Sequence, residues 1–251
     1  MKTTVEMAKT LVLYALHEFN ERVRSFLQSC IFQDENIDFI VIANNKNIVL
    51  DVPGYARTLH RDNIGYDFGA WSDALLTDHL YEKYHHFIFV NSSVIGPFVP
   101  PYFEGRWTDI YLNGLRNNVK LFGSTINTCG KPLTLTHVQS YIFTMDKTTL
   151  EFLIDSNIFS TKYVTNFQDC IFQKEVLMSR KVIENNWNIG SLQPCYKDVD
   201  FTFRRKSPED CNIECLFLDD IMYQEFRNSI WNEYELVFIK GNRVAVSKGG
   251  K

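Results

Sequence analysis

The chain has 251 residues, 45% of them hydrophobic and 14% aromatic, enough apolar material for one large core or two small ones. Its 26 Lys and Arg against 30 Asp and Glu give a formal net charge of -4, which offers no general basic surface for a phosphate backbone and excludes nucleic acid as an expected partner. The longest uncharged stretch, residues 85–103, is broken by Asn91, Ser92, Ser93 and three prolines and does not read as a membrane span, and the apolar run near the N-terminus is too short for a signal peptide.

Residues 11–16 form a short apolar run rich in strand formers, and the apolar spacing of Val23, Phe26, Leu27 and Cys30 then predicts a helix. A second buried strand is expected over 38–43, ending at Asn44-Asn45, and a short third over 56–60. The stretch from 61 reads as a loop running into a helix over 68–84. The apolar run 86–90 is the clearest strand, stopped by Asn91-Ser92-Ser93 and Gly96-Pro97, and two more are expected over 119–124 and 140–144. Apolar residues at 172, 176, 177, 183 and 187 predict a helix within 167–192 that ends near Asn185, Asn186 and Gly190. Strands alternating with helices imply a mainly parallel α/β sheet, on which ligands collect at the carboxyl ends of the strands. We read one domain over 1–251, with residues of about 10–125 as one half and about 126–251, including a C-terminal tail, as the other.

Six cysteines at 30, 129, 170, 195, 211 and 215 are scattered, which favours a reducing compartment and hence the cytoplasm. The Cys211-x3-Cys215 pair lacks a second Cys/His pair at zinc-finger distance, so structural zinc is not expected.

Three polar clusters should meet at the carboxyl edge: His17-Glu18-Phe19-Asn20, Asn44-Asn45 and Asn91-Ser92-Ser93. Between them lies "RDNIGYDFGAWSDAL", residues 61–75. Gly65 and Gly69 would allow a tight turn or the close approach of a ligand. Arg61 could fork onto a phosphate or carboxylate and Asp67 could accept from sugar hydroxyls; equally, the two could pair with each other. Phe68 and Trp71 read as the core face of the helix.

Arg61-x-Asn63-x-Gly65-x-Asp67-Phe68-Gly69-Ala70-Trp71, then Val90-Asn91-Ser92-Ser93-Val94-x-Gly96-Pro97, and then His137-x-Gln139-Ser140-Tyr141 together resemble the motifs of the rhamnan synthesis protein F group of glycosyltransferases. That group has relatives in bacterial polysaccharide clusters and in large algal DNA viruses. The resemblance covers roughly residues 10–195. It implies a GT-A fold, with a Rossmann-like nucleotide-sugar-binding half and an acceptor-binding half. His17, Asn44, Arg61, Asn63, Asp67, Asn91, Ser92 and Ser93 are then the expected donor contacts. His137, Tyr141 and Trp187 are the expected acceptor contacts.

In GT-A enzymes the segment after the fourth strand usually carries Asp-x-Asp, whose carboxylates hold a divalent metal on the donor diphosphate. Here it reads Asn91-Ser92-Ser93, whose neutral oxygens are poorer ligands for Mg²⁺ or Mn²⁺. Two options stay open: a metal held weakly with Asn91 and Ser93 among its ligands, or cationic side chains in its place. Lys240, Arg243, Lys248 and Lys251 near the C-terminus are candidates for the second, and also fit a solvated tail.

In the second half, Glu175-Val176-Leu177-Met178-Ser179-Arg180 followed by Trp187-Asn188-Ile189 is similar to the helix that carries the general base of inverting GT-A enzymes. An inverting transfer is one in-line displacement in which a carboxylate removes the proton of the attacking hydroxyl. Glu175 is the first choice for that base and Asp169 the second. The expected activity is transfer of one sugar, xylose before rhamnose, from a UDP-linked donor to a glycan hydroxyl with inversion. A retaining transferase of the same fold and a nucleotide-sugar- or glycan-binding module without catalysis are the alternatives. The sequence leaves the oligomeric state and the acceptor open.

Overall fold

The computed structural model describes residues 8–128, 135–204 and 233–242. In chain order it gives β1 (Thr10–Leu16), α1 (Glu21–Ser29), β2 (Ile37–Ala43), β3 (Arg57–His60), α2 (Tyr66–Leu76), β4 (His86–Asn91), β5 (Val94–Ile95), α3 (Trp107–Leu112) and β6 (Val119–Gly123). Then follow β7 (Ile126–Asn127), β8 (His137–Val138), β9 (Ile142–Asp146), α4 (Lys147–Asp155), α5 (Phe167–Cys170), a π-helical segment (Ile171–Val176), α6 (Leu177–Glu184), β10 (Asn188–Ser191) and β11 (Ile239–Lys240).

Seven strands form the central sheet in the order β10-β6-β9-β4-β1-β2-β3. β1 lies between β2 and β4, parallel to both. Only β9, between β4 and β6, runs against the rest. Every residue of β1 is buried, because a parallel strand in mid-sheet is covered on both faces. Its side chains alternate accordingly. Leu11, Leu13 and Ala15 enter one cluster with Phe68, Trp71, Phe89 and Phe143, whereas Val12, Tyr14 and Leu16 enter another with Val23, Phe26, Trp107 and Phe238. At about 1.5–3 kcal/mol for each large apolar side chain taken from water, these two layers dominate the stabilisation of the sheet.

α1 follows β1 because Asn20 caps it, its Oδ1 accepting from the Val23 amide at 3.2 Å. α2 ends at Leu76, short of the expected 84. Asp78 and His79 both take left-handed dihedrals there, and a 3₁₀ segment covers Thr77–Lys83. The strand expected over 140–144 is β9, displaced to Ile142–Asp146 and antiparallel. The helix within 167–192 stops at Glu184, and the chain turns through Asn186 at positive φ into β10, which pairs with β6. Two two-stranded ribbons, β5 with β11 and β7 with β8, lie outside the central sheet. Among the described residues, no helix is long and apolar enough to cross a membrane.

Candidate active site at the carboxyl edge of the sheet

β1, β2 and β4 end side by side at Leu16, Ala43 and Asn91, and the next residues build the site. The turn after β4 is pinned by its own backbone. The Asn91 amide donates to the Tyr141 carbonyl at 3.0 Å and the Ser92 amide to the Ala15 carbonyl at 2.9 Å. The Ser93 amide donates to Asn91 Oδ1 at 3.0 Å. Ser93 Oγ donates to the same Asn91 oxygen at 2.5 Å, and Asn91 Nδ2 donates to Asp67 Oδ2 at 3.0 Å.

Asp67 stands in the first turn of α2 and is half-buried. Burial pushes its carboxyl up to about 6; the hydrogen bond from Asn91 and nearby His17 oppose the rise, and the Glu175 carboxylate adds to it. That coupling puts Glu175 in the same neighbourhood. Its Oε1 accepts from the Ser140 amide at 2.6 Å, one residue before the Tyr141 that holds Asn91. The π-helical segment delivers Glu175 there, while one turn later Ser179 Oγ accepts from the Val138 amide at 3.0 Å. Cys170 is buried near both acids, its thiol pushed up to about 12 mainly by burial. Asp67 therefore contacts the Asn91-Ser92-Ser93 turn directly and Glu175 lies within electrostatic reach of Asp67, with His17 exposed at the end of β1 and 3.8 Å from Glu18.

Arg61 occupies another role than donor contact. It is 8% exposed, and its Nε donates to Asp73 Oδ2 at 2.7 Å, Nη1 to Asn44 Oδ1 at 2.6 Å and Nη2 to the Ile64 carbonyl at 2.7 Å. Its acid partner is Asp73, and Asp67 faces Asn91 instead. Asn44 is equally engaged, since its Nδ2 donates to the Tyr66 carbonyl at 3.3 Å. Arg61 and Asn44 thus tie the loop before α2 to the end of β2. The glycines serve that same loop. Gly65 has φ 75°, and a Cβ on Gly69 would lie 2.2 Å from the Ile64 carbonyl oxygen that Arg61 holds. Of the expected polar contacts in this stretch, Asn63 is exposed.

Three other expectations change. Tyr141 is 2% exposed, with its hydroxyl accepting from Thr125 Oγ1 at 3.0 Å, so it cannot stack on a sugar. Trp187 packs edge-on to Phe152 at 5.3 Å in the layer of α4 and α6, away from the edge. Asp169 is a capping group: its amide donates to Asn166 Oδ1 and its carboxylate accepts from Asn166 and Gln173. His137 is 7% exposed with Nδ1 against the Leu135 carbonyl at 2.6 Å; a carbonyl accepts only, so this nitrogen carries the proton. Arg243, Lys248, Lys251, Cys211 and Cys215 lie outside the described residues.

The sequence reading passed over two neighbours of the site. Arg22, in the first turn of α1, donates from Nε to the Ser92 carbonyl at 3.3 Å. Phe167 is 65% exposed at the start of α5 and meets Tyr66 edge-on at 6.0 Å. An exposed aromatic on the helix leading to the base candidate was a readable signal; an arginine reaching 70 residues along the chain was not.

The turn after β4 does not suit a hard divalent cation. Asn91 Oδ1 already accepts twice from Ser93, and the turn contributes no ionised oxygen. Among the described residues no three His, Cys, Asp or Glu side chains converge as a metal site.

No curated protein sequence matches the chain significantly. Solved structures resemble it at low identity. A cytidylyltransferase from Leptospira borgpetersenii is 10% identical with a TM-score of 0.37, over 73% of this chain and 75% of that one. The glycosyltransferase GlyE of Streptococcus pneumoniae is 13% identical with a TM-score of 0.39, over 75% of this chain and 46% of that one. This chain therefore spans less than half of the GlyE chain, and likeness of this degree carries no functional inference. The family described as Rhamnan synthesis protein F matches residues 40–200, which include the Asp67 stretch, the Asn91-Ser92-Ser93 turn and the Glu175 helix. With most of the sheet and both acids inside that match, the chain belongs to the rhamnan synthesis protein F family of glycosyltransferases.

Proposed function

We propose that this transferase moves one sugar from a nucleoside-diphosphate donor to a glycan hydroxyl with inversion, using Glu175 as the general base. The observation that carries this reading is the placement of Glu175. One of its oxygens is fixed by the Ser140 amide, and the carboxylate lies in the electrostatic reach of Asp67 at the carboxyl edge. A base held by one oxygen keeps the other for the acceptor proton, and fixing it in advance removes reorganisation from the displacement. Asp67, held by Asn91, is the contact for hydroxyls of the donor sugar, and exposed Asn63 and His17 are further donor contacts. Phe167 supplies an apolar face for the acceptor, and His137 a polar contact to it. UDP is the favoured nucleotide, and xylose precedes rhamnose as the transferred sugar. That order rests on the family resemblance alone. The turn's poor fit to a metal supports donor binding without Mg²⁺ or Mn²⁺.

The test combines calorimetry against a panel of nucleotide sugars with turnover of the Glu175→Gln variant. Gln keeps an acceptor for the Ser140 amide but cannot take a proton. The expected result is unchanged donor affinity with kcat reduced about 10²–10⁴-fold. Turnover near the wild-type level would favour a retaining mechanism. Silence across the whole donor panel from a folded protein would overturn the donor site.

A further inference from the structure

The donor of such a reaction brings a diphosphate to the turn after β4, and this turn has little left to receive it. Its successive amides at Asn91, Ser92 and Ser93 all donate within the protein, so they form no anion cradle. Its side chains offer no carboxylate for a bridging cation. A doubly charged leaving group in a partly dry site needs positive charge from elsewhere.

Arg22 is placed to supply it. The residue sits in the first turn of α1, at the end of that helix next to the carboxyl end of β1. Phe26, one turn further on the same face, stacks flat on Tyr14 of β1 with ring centroids 3.9 Å apart, which fixes the rotation of the helix and turns Arg22 toward the sheet edge. The Arg22 Nε bond to the Ser92 carbonyl then sets the guanidinium against the turn. A Cβ on Gly241 would lie 3.0 Å from Arg22 Cδ, so the side chain runs between the β4 turn and the strand β11. Nearby acids do not compete for it: Glu21 pairs with Arg24 at 2.6 Å and Glu18 stands near His17. Among the described residues its two terminal nitrogens have no hydrogen-bond partner, leaving both for a bidentate contact. Arg61, by contrast, has all its nitrogens engaged.

We propose that Arg22, clamped on the Ser92 carbonyl, binds the diphosphate of the donor and takes the charge-neutralising place that a divalent cation holds in Asp-x-Asp transferases. The proposal rests on the nucleotide-sugar reading above. It makes donor binding independent of metal, and it makes the loss of Arg22 specific to the diphosphate.

The experiment is calorimetric titration of the full chain with UDP and with uridine, each in EDTA and in Mn²⁺, for wild type, Arg22→Gln and Arg22→Lys. Wild type is expected to bind UDP equally in EDTA and Mn²⁺. Arg22→Gln should weaken UDP about tenfold or more with uridine unchanged, and Arg22→Lys should recover part of the loss, since a point charge replaces the fork. UDP binding that collapses in EDTA, or an Arg22→Gln affinity within about twofold of wild type, would overturn the proposal. The metal arm uses wild type alone, so it decides even if a variant does not fold. Failure of wild type to bind either compound under both conditions would instead overturn the donor site itself.

Discussion

Replacing Asp67 by Asn should make the protein more stable at neutral pH. Burial raises this carboxyl from 3.8 to about 6, so the folded state resists its ionisation. The rise corresponds to about 3 kcal/mol at 1.36 kcal/mol per unit, and residual solvent contact of a half-buried group trims it to about 2 kcal/mol. The sign follows from proton linkage. Between pH 3.8 and about 6 the folded chain holds this proton and the unfolded chain does not, so stability falls as pH rises through that window. Below it both states are protonated and the penalty vanishes; above it the penalty is complete. The carboxamide oxygen of the variant would still accept from Asn91 Nδ2, so the hydrogen bond survives the change. Urea unfolding of wild type and Asp67→Asn at a series of pH values should give curves that meet near pH 4 and separate by about 2 kcal/mol at pH 7.5. A constant difference across that range would refute the argument, because it would mean that Asp67 ionises in the fold as freely as in the open chain. Sugar transfer should fall in the same variant, which would make the acid a stability cost retained for its chemistry.

Arg61→Ala strips Asp73 and Asn44 of their buried partner and should cost about 3–5 kcal/mol in urea unfolding, with donor affinity per folded molecule retained; a stable variant with lost affinity would return Arg61 to the donor contacts. Gly69→Ala forces a Cβ onto the Ile64 carbonyl, and the backbone there is held by Arg61, so a loss of about 3 kcal/mol is expected at the upper end of overpacking. A neutral result would show that the loop gives way without resistance.

The middle of the sheet was legible because β1, β2 and β4 are buried on both faces and so read as unbroken apolar runs. Their carboxyl ends could be placed for the same reason, and with them the Asn91-Ser92-Ser93 turn. Glu175 was found through a resemblance. Its position in a π-helical segment, which turns it to the Ser140 amide, leaves no mark in apolar spacing. β10 was hidden, since a four-residue strand containing Gly190 looks like the tail of the preceding helix until β6 is there to pair with it. The partners of Arg61 were hidden as well. Asp67 and Asp73 are both acids on α2, and only the folded arrangement pairs Asp73 with Arg61 and Asp67 with Asn91. Tyr141 shows the opposite error: a motif residue next to Glu175's anchor lies in the core, because Glu175 is held by the Ser140 backbone amide while the Tyr141 ring is buried.

The ribbon of β5 and β11 limits how this protein can be made and cut. Ile95 pairs with Ile239, the Gly241 amide donates to the Ser93 carbonyl at 2.6 Å, and Phe238 fills the layer among Phe26, Trp107 and Tyr111. The turn after β4 is thus braced by a strand synthesised more than 140 residues after it. During translation the first half emerges with an aromatic layer uncovered, open to chaperones and to aggregation until that strand arrives. Contacts of such sequence separation close slowly, so the last step of refolding should be the docking of β11. For the same reason the first half should not survive excision as a free-standing piece, however complete its parallel strands look on paper.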